Sequence, residues 1–232
     1  MRIKQGVITC ILIFSMIMGA IYLFSGHIAV YALSGMYGLD ISYKNLKSAA
    51  FKKLDFNELT ASDAKRGLGL YTKDARVNMR LLSVIPFKTS FDFYLKDVRF
   101  TTNRKESAPA YDDLVGLISA PFKGQWVYRE IHGQIEPIKG GVRLSKFMAV
   151  SDDIRISIDG DIYDTNIIRA DLTIYFSKEI TGKIPDELSG VVLSDEPDGW
   201  KSLSAQLSGN YGSPAIQLSS KLFRLNIKAL NR

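Results

Sequence analysis

The sequence predicts a mainly β protein, a long antiparallel meander carrying one N-terminal transmembrane helix and two short amphipathic helices. Three observations carry this reading: an uncharged apolar run near the N-terminus, strict apolar/polar alternation over much of the remainder, and turn residues at hairpin spacing. The chain has 232 residues, 46% hydrophobic and 23% charged, so it is neither disordered nor collagen-like. With 30 Lys plus Arg against 24 Asp plus Glu, the formal charge is +6. The two signs are interleaved, which suits solubility and mild attraction to anionic surfaces and speaks against a nucleic-acid groove. Two His and one Cys, Cys10 in the most apolar stretch, exclude a His- or Cys-rich zinc site and a disulfide within the chain.

Residues 7–24 contain no charge, Pro, Asn or Gln, follow Arg2 and Lys4, and precede no further Lys or Arg until Lys44. That is long enough to span a bilayer, and the basic flank keeps the N-terminus cytoplasmic and sends the rest across. Residues 1–25 are thus read as cytoplasmic tip and anchor, 26–37 as a juxtamembrane segment, and 38–232 as one extracytoplasmic β domain. A cleaved signal peptide is the competing reading, because Val30-Tyr31-Ala32 places small residues where a signal peptidase reads them; the apolar core is long for that role.

Beyond the anchor the period becomes two. Ile154, Ile156, Ile158 and Ile162 alternate with Arg155, Ser157, Asp159 and Asp161; Ile168, Ala170, Leu172, Ile174 and Phe176 alternate with Arg169, Asp171, Thr173 and Tyr175. Such strands have one dry and one wet face. Similar stripes run through Val77, Met79 and Leu81, through Phe91, Phe93 and Leu95, through Val142, Leu144 and Met148, and through Leu203, Ala205 and Leu207. A last stripe begins at Ile216 and Leu218, slips phase near Leu222 and Phe223, and continues through Leu225 and Ile227, which suggests a bulge or bend. Turn signals at Lys139-Gly140-Gly141, Ser151-Asp152-Asp153, Asp164-Thr165-Asn166 and the segment 210–214 divide the runs. Gly133, Gly160 and Gly209 mark a loose repeat after strand-like runs.

Two stretches break the alternation. Residues 109–119 place Leu114, Val115 and Ile118 on one helical face, and residues 184–193 open with Pro185, Asp186 and Glu187, which suits a helix N-terminus. Short amphipathic helices beside a one-sided sheet serve as plugs or end caps.

No constellation for covalent chemistry emerges. Asp112-Asp113, Asp152-Asp153, Asp186-Glu187 and the acids at 195, 196 and 198 fall in turns or helix starts, where solvation or capping explains them. Asp195, Glu196 and Asp198 lack the glycine-punctuated spacing of a calcium loop. His132 sits in a strand-like run, His27 at the membrane edge, and no nucleophile elbow, phosphate loop or dinucleotide fingerprint is present. The expectation is a protein that is not an enzyme and needs no cofactor or metal.

A single amphipathic sheet leaves an apolar face that a second layer, helices, curvature or ligand must cover. Two outcomes stay open on pattern alone: a bent sheet whose concave face is partly filled by acyl chains, and a closed β-sandwich that binds nothing.

The N-terminal anchor followed by Gly38-Leu39-Asp40-Ile41-Ser42-Tyr43, Leu68-Gly69-Leu70, Asp74-Ala75-Arg76-Val77 and Leu95-Lys96-Asp97-Val98-Arg99-Phe100 resembles the start of AsmA-like proteins of bacterial envelopes. So do Gly133-Gln134-Ile135, Gly141-Val142-Arg143-Leu144, Gly160-Asp161-Ile162, Gly199-Trp200-Lys201-Ser202, Leu207-Ser208-Gly209 and Pro214-Ala215-Ile216. The type II secretion N-component is similar at this level. The resemblance implies a curved, taco-like β groove, anchored in the inner membrane with its main domain in the periplasm, acting in outer-envelope lipid homeostasis or biogenesis. Its partners would be membrane lipid and an envelope protein docked through a sheet edge; the second function it allows is a structural or assembly component of a secretion machine. Alternation nominates Phe91, Phe93, Leu95, Ile154, Ile156, Ile158, Leu172, Ile174, Leu203 and Leu207 as the lipid-lining residues.

Overall fold

A computed structural model describes residues 26–28, 30–31, 34–35, 38–49, 52–64, 67–83, 88–102, 127–210, 214–219 and 224–228. The anchor at 7–24 and the amphipathic stretch at 109–119 lie outside the described residues. No helix among the described residues is long and apolar enough to cross a membrane.

Eleven strands form one continuous antiparallel path: β1 (Asp40–Ala49), β2 (Lys53–Asp63), β3 (Leu68–Ser83), β4 (Lys88–Thr102), β5 (Val127–Ile138), β6 (Gly141–Val150), β7 (Ile154–Tyr163), β8 (Ile167–Phe176), β10 (Lys201–Asn210), β11 (Ala215–Ser219) and β12 (Arg224–Lys228). The two-residue β9 (Ser194–Asp195) pairs with the start of β10 beside β11. The sheet is open, with β1 and β12 as its edges. Two short helices, α1 (Lys178–Thr181) and α2 (Asp186–Val192), occupy the connection from β8 to β10.

Local chemistry explains these joints. Lys139 and Gly140, the latter at φ 72°, turn β5 into β6, a left-handed conformation that costs Gly little. Ser151 closes the β6–β7 turn by accepting from Ile154 N at 2.9 Å. Ser177 caps α1 by accepting from Ile180 N at 3.4 Å, and its hydroxyl donates to Asp153 Oδ1 at 3.1 Å, tying the helix to that turn. Pro185 precedes Asp186 and Glu187 in the first turn of α2, where the helix dipole favours acids.

Two features differ from the sequence expectations. The stripe read as continuing through a bulge or bend near Leu222 and Phe223, which lie outside the described residues, is two antiparallel strands: Leu218 pairs with Leu225 and Ile216 with Ile227. Reversal of chain direction shifts the alternation as a bulge does, so pattern alone does not separate them. The three glycines of the loose repeat lie inside β5, β7 and β10, not after strand ends.

A charged line crosses the first five strands. Lys44, Glu58, Lys73, Asp97 and Arg129 face one another on successive strands, each at the place where the paired register passes over one position. Lys44 bonds Glu58 at 3.0 Å and Arg129 meets Asp152 at 3.3 Å. Glu58 and Asp97 adopt φ 52° and 54°, which twists the strands locally. On either side of the line the apolar residues are three apart: Tyr43 and Leu46, Phe56 and Leu59, Leu95 and Val98, Tyr128 and Ile131. Two consecutive residues thus stay on the polar face, and the apolar residues remain together on the other.

Candidate functional site

The register gathers all ten nominated residues on one face. Leu46, Phe56, Ala75, Leu95, Ile131, Ala149, Ile156, Ile174 and Leu203 form one unbroken row across nine strands. A second row runs Phe147, Ile158, Leu172, Ala205, Leu218, and a third Phe91, Ile135, Leu144, Gly160, Ala170, Leu207, Ile216. Ile154 lies on the same face, opposite Phe176, and Phe93 lies opposite Val77 and Gly133.

Exposure along this face is graded. In β7, Ile154 is 0% exposed and Ile156 4%, Ile158 is half-buried, and Ile162 is 37% exposed. β8 and β10 follow the same trend, from Phe176 and Leu203 at the buried end to half-buried Ile168 and Leu207. α1 and α2 cover the buried end: Ile180, Ile184, Val192 and Leu193 join Ile154, Phe176 and Leu203 in one core. At the β1 side the helical residues 26–28 and 30–31 lie beside the same face, with Val30 buried in a cluster with Phe56 and Ala75. There Gly26 N donates to Ser48 Oγ at 3.3 Å, and His27 Nδ1 and Tyr43 OH share a hydrogen bond of 2.5 Å.

Five of the nominated residues, Ile154, Ile156, Leu172, Ile174 and Leu203, are therefore inside the protein's own core, while Phe91, Phe93, Leu95, Ile158 and Leu207 are half-buried. Alternation missed Phe147, because αL Lys146 (φ 54°) breaks the period of β6 just before it. Phe93 and Phe147 rings lie 6.2 Å apart over Gly133, where a Cβ would come within 2.8 Å of the Phe93 ring. Exposed Val142 and Ile162, paired across β6 and β7, extend the apolar face toward the hairpin tips.

Tyr128, 3% exposed beneath the edge of Phe100, has its phenol pushed up to about 12 by burial. The unfolded chain releases that proton near pH 10, so the stabilisation is complete below pH 10 and disappears as pH rises to 12, about 2 to 3 kcal/mol in all. Denaturant melts between pH 9 and 12 are expected to show this fall, and Tyr128→Phe to flatten it.

The opposite face is polar and laced with ion pairs. Arg143 donates to both Asp161 oxygens at 2.8 and 3.2 Å and holds that carboxyl below its usual range. Asp195 meets Lys201 at 3.4 Å, and Asp198 meets Arg155 at 3.0 Å, whose guanidinium stacks on Trp200. His132 pairs with Tyr94 and Met148 across the sheet, on that polar face and away from these acids. Among the described residues no three His, Cys, Asp or Glu side chains are grouped to hold a metal ion. No family model, curated protein or solved structure matches the chain.

Proposed function

We propose that the protein holds membrane lipid against its apolar face, as an AsmA-like, single-pass inner-membrane protein whose β domain stands in the periplasm and serves outer-envelope lipid homeostasis or biogenesis, without covalent chemistry. The face acts as a curved groove, closed at the α1–α2 end and open toward the tips near residues 139–140 and 164–166. Acyl chains rest on Phe93, Leu144, Phe147, Ile158, Ile162 and Leu207. The observation that carries this reading is the graded exposure of one continuous apolar face: the protein's own helices shield one end, and rows of Ile, Leu and Val continue past them to the other. Burying such surface is worth roughly 25 cal/mol per Å², which a lipid chain supplies. Eleven strands at ~4.8 Å make a groove about 50 Å long, too short to bridge two membranes alone.

The test is photocrosslinking of the full chain in native membranes, with benzoylphenylalanine at Phe147 or Ile162 and, on the polar face, at Arg143. Lipid adducts at the first two positions and none at Arg143 are expected. The second reading, a scaffold in a secretion or envelope machine, rests on the ten-residue open edge of β1, whose outward backbone groups suit strand addition. Discrete protein adducts at Asn45, with none to lipid anywhere, would establish it and sink the lipid reading.

A further inference from the structure

We propose that the polar face of β1–β4 is a second, separate binding site, and that its ligand is a carbohydrate. A depression of about 950 Å³ opens there, on the side of the sheet opposite the apolar face. Two parallel cross-strand rows line it: Asn45, Asn57, Asp74 and Lys96, then Lys47, Asp55, Arg76 and Tyr94. Leu46, Phe56 and Ala75, the residues between the rows, complete the lining. The charged line at Lys44, Glu58, Lys73 and Asp97 runs alongside.

Electrostatics and hydrogen bonding narrow the ligand class. Three cations (Lys47, Arg76, Lys96) and two carboxylates (Asp55, Asp74) line the site, so its formal charge is only +1. Lys47 and Lys96 stand on the first and fourth strands and in different rows, about 16 Å apart at the backbone, with the two carboxylates between them. A phosphate in the centre meets those carboxylates before it meets both lysines, and a metal cation meets Arg76. An acyl chain would desolvate every one of these groups without a partner.

A neutral polyhydroxylated ligand fits each of them. Part of the polar capacity is already used: Asn57 Nδ2 donates to Asp74 Oδ1 at 3.2 Å, Arg76 Nε to Asp55 Oδ1 at 3.0 Å, and Lys53 Nζ to Asp55 Oδ2 at 2.9 Å. These bonds fix the side chains in place. The Asn45 amide, the Asn57 carbonyl, the second Asp74 oxygen, the outer Arg76 nitrogens and the two lysines remain without a hydrogen-bond partner among the described residues, donors on the outer strands flanking the acceptors and Arg76 on the inner two, a mixed set that suits successive hydroxyls. Tyr94, 38% exposed, is held at its hydroxyl by Glu130 at 3.3 Å and offers its ring at the end of one row. Sugar rings present an apolar C–H face to such rings and direct their hydroxyls sideways, the geometry these two rows complement.

The test is saturation-transfer NMR on the detergent-solubilised full chain with four neutral probes: chitotetraose, maltotetraose, cellotetraose and mannotetraose. Binding of at least one is expected, with transfer strongest to ring C–H protons. Tyr94→Ala, Asp74→Asn and the double variant Lys47→Ala with Lys96→Ala should each weaken that affinity about tenfold or more, while Arg143→Ala, on the polar face of β6 outside the depression, changes it less than about threefold. Tyr94→Phe keeps the ring and should keep the transfer pattern, which distinguishes loss of stacking from loss of fold. The assignment is overturned if none of the four binds, or if inorganic phosphate binds and the double lysine variant abolishes it. Neither result touches the lipid reading of the opposite face.

Discussion

Leu172→Asp is expected to remove the cooperative unfolding transition of the β domain. Leu172 is 3% exposed and sits in the second apolar row between Ile158 and Ala205. Truncating such a side chain costs about 2 to 5 kcal/mol, and a carboxyl in its place adds the cost of a buried polar group without a partner. Against a typical total of about 5 to 15 kcal/mol, little native protein remains. Ile162→Asp, on the same face but 37% exposed, is expected to leave the midpoint within a few degrees. Circular dichroism melts of the two variants decide the matter. Equal tolerance at both positions would show that the interior is not packed as described. With the fold intact, the proposed lipid contact predicts fewer lipid adducts at Phe147 in Ile162→Asp, which separates the exposed end of the face from the core.

Gly160→Ala is the second large effect. A Cβ at Gly160 would fall 2.3 Å from Arg169 O and 2.4 Å from the Ala170 Cα, backbone atoms of the neighbouring strand that no rotamer change can move. The strands β7 and β8 must separate, and ladder bonds near the middle of the sheet open. A loss of about 3 kcal/mol or more is expected, far above the usual benefit or cost of a Gly-to-Ala exchange in a strand. Urea denaturation measures it, and a change below about 1 kcal/mol would refute the close approach. Gly133→Ala should cost less, because the first atom its Cβ meets is the far end of the Phe93 ring.

Much of the fold is legible because the C-terminal half alternates strictly. Ile154 to Ile162 and Ile168 to Phe176 read as one-sided strands, and the structure pairs them directly. The N-terminal half is less legible for a definite reason. In β1, β2, β4 and β5 the apolar residues shift from spacing two to spacing three at the charged line, so an alternation template breaks just where the strand continues. The left-handed conformation of Glu58 has no compositional signal, and that of Asp97 only the weak tolerance of Asp for positive φ. The candidate face was legible in membership but not in depth. Alternation places Ile156 and Ile162 on the same side, whereas the cover supplied by α1 and α2 decides which one stays exposed. The polar depression gave no signal at all, because it joins residues from four strands whose register no local pattern fixes.

The order of the strands also governs how the chain reaches this state. Every pairing along the path joins neighbours in sequence, with longer excursions only at residues 103–126 and 177–200. Loop closure is therefore inexpensive at nearly every step, and each hairpin can add to the growing edge as it emerges, before later strands exist. Sequential zippering of this kind suits a polypeptide delivered N-terminus first, since the segment already out never waits for a distant partner.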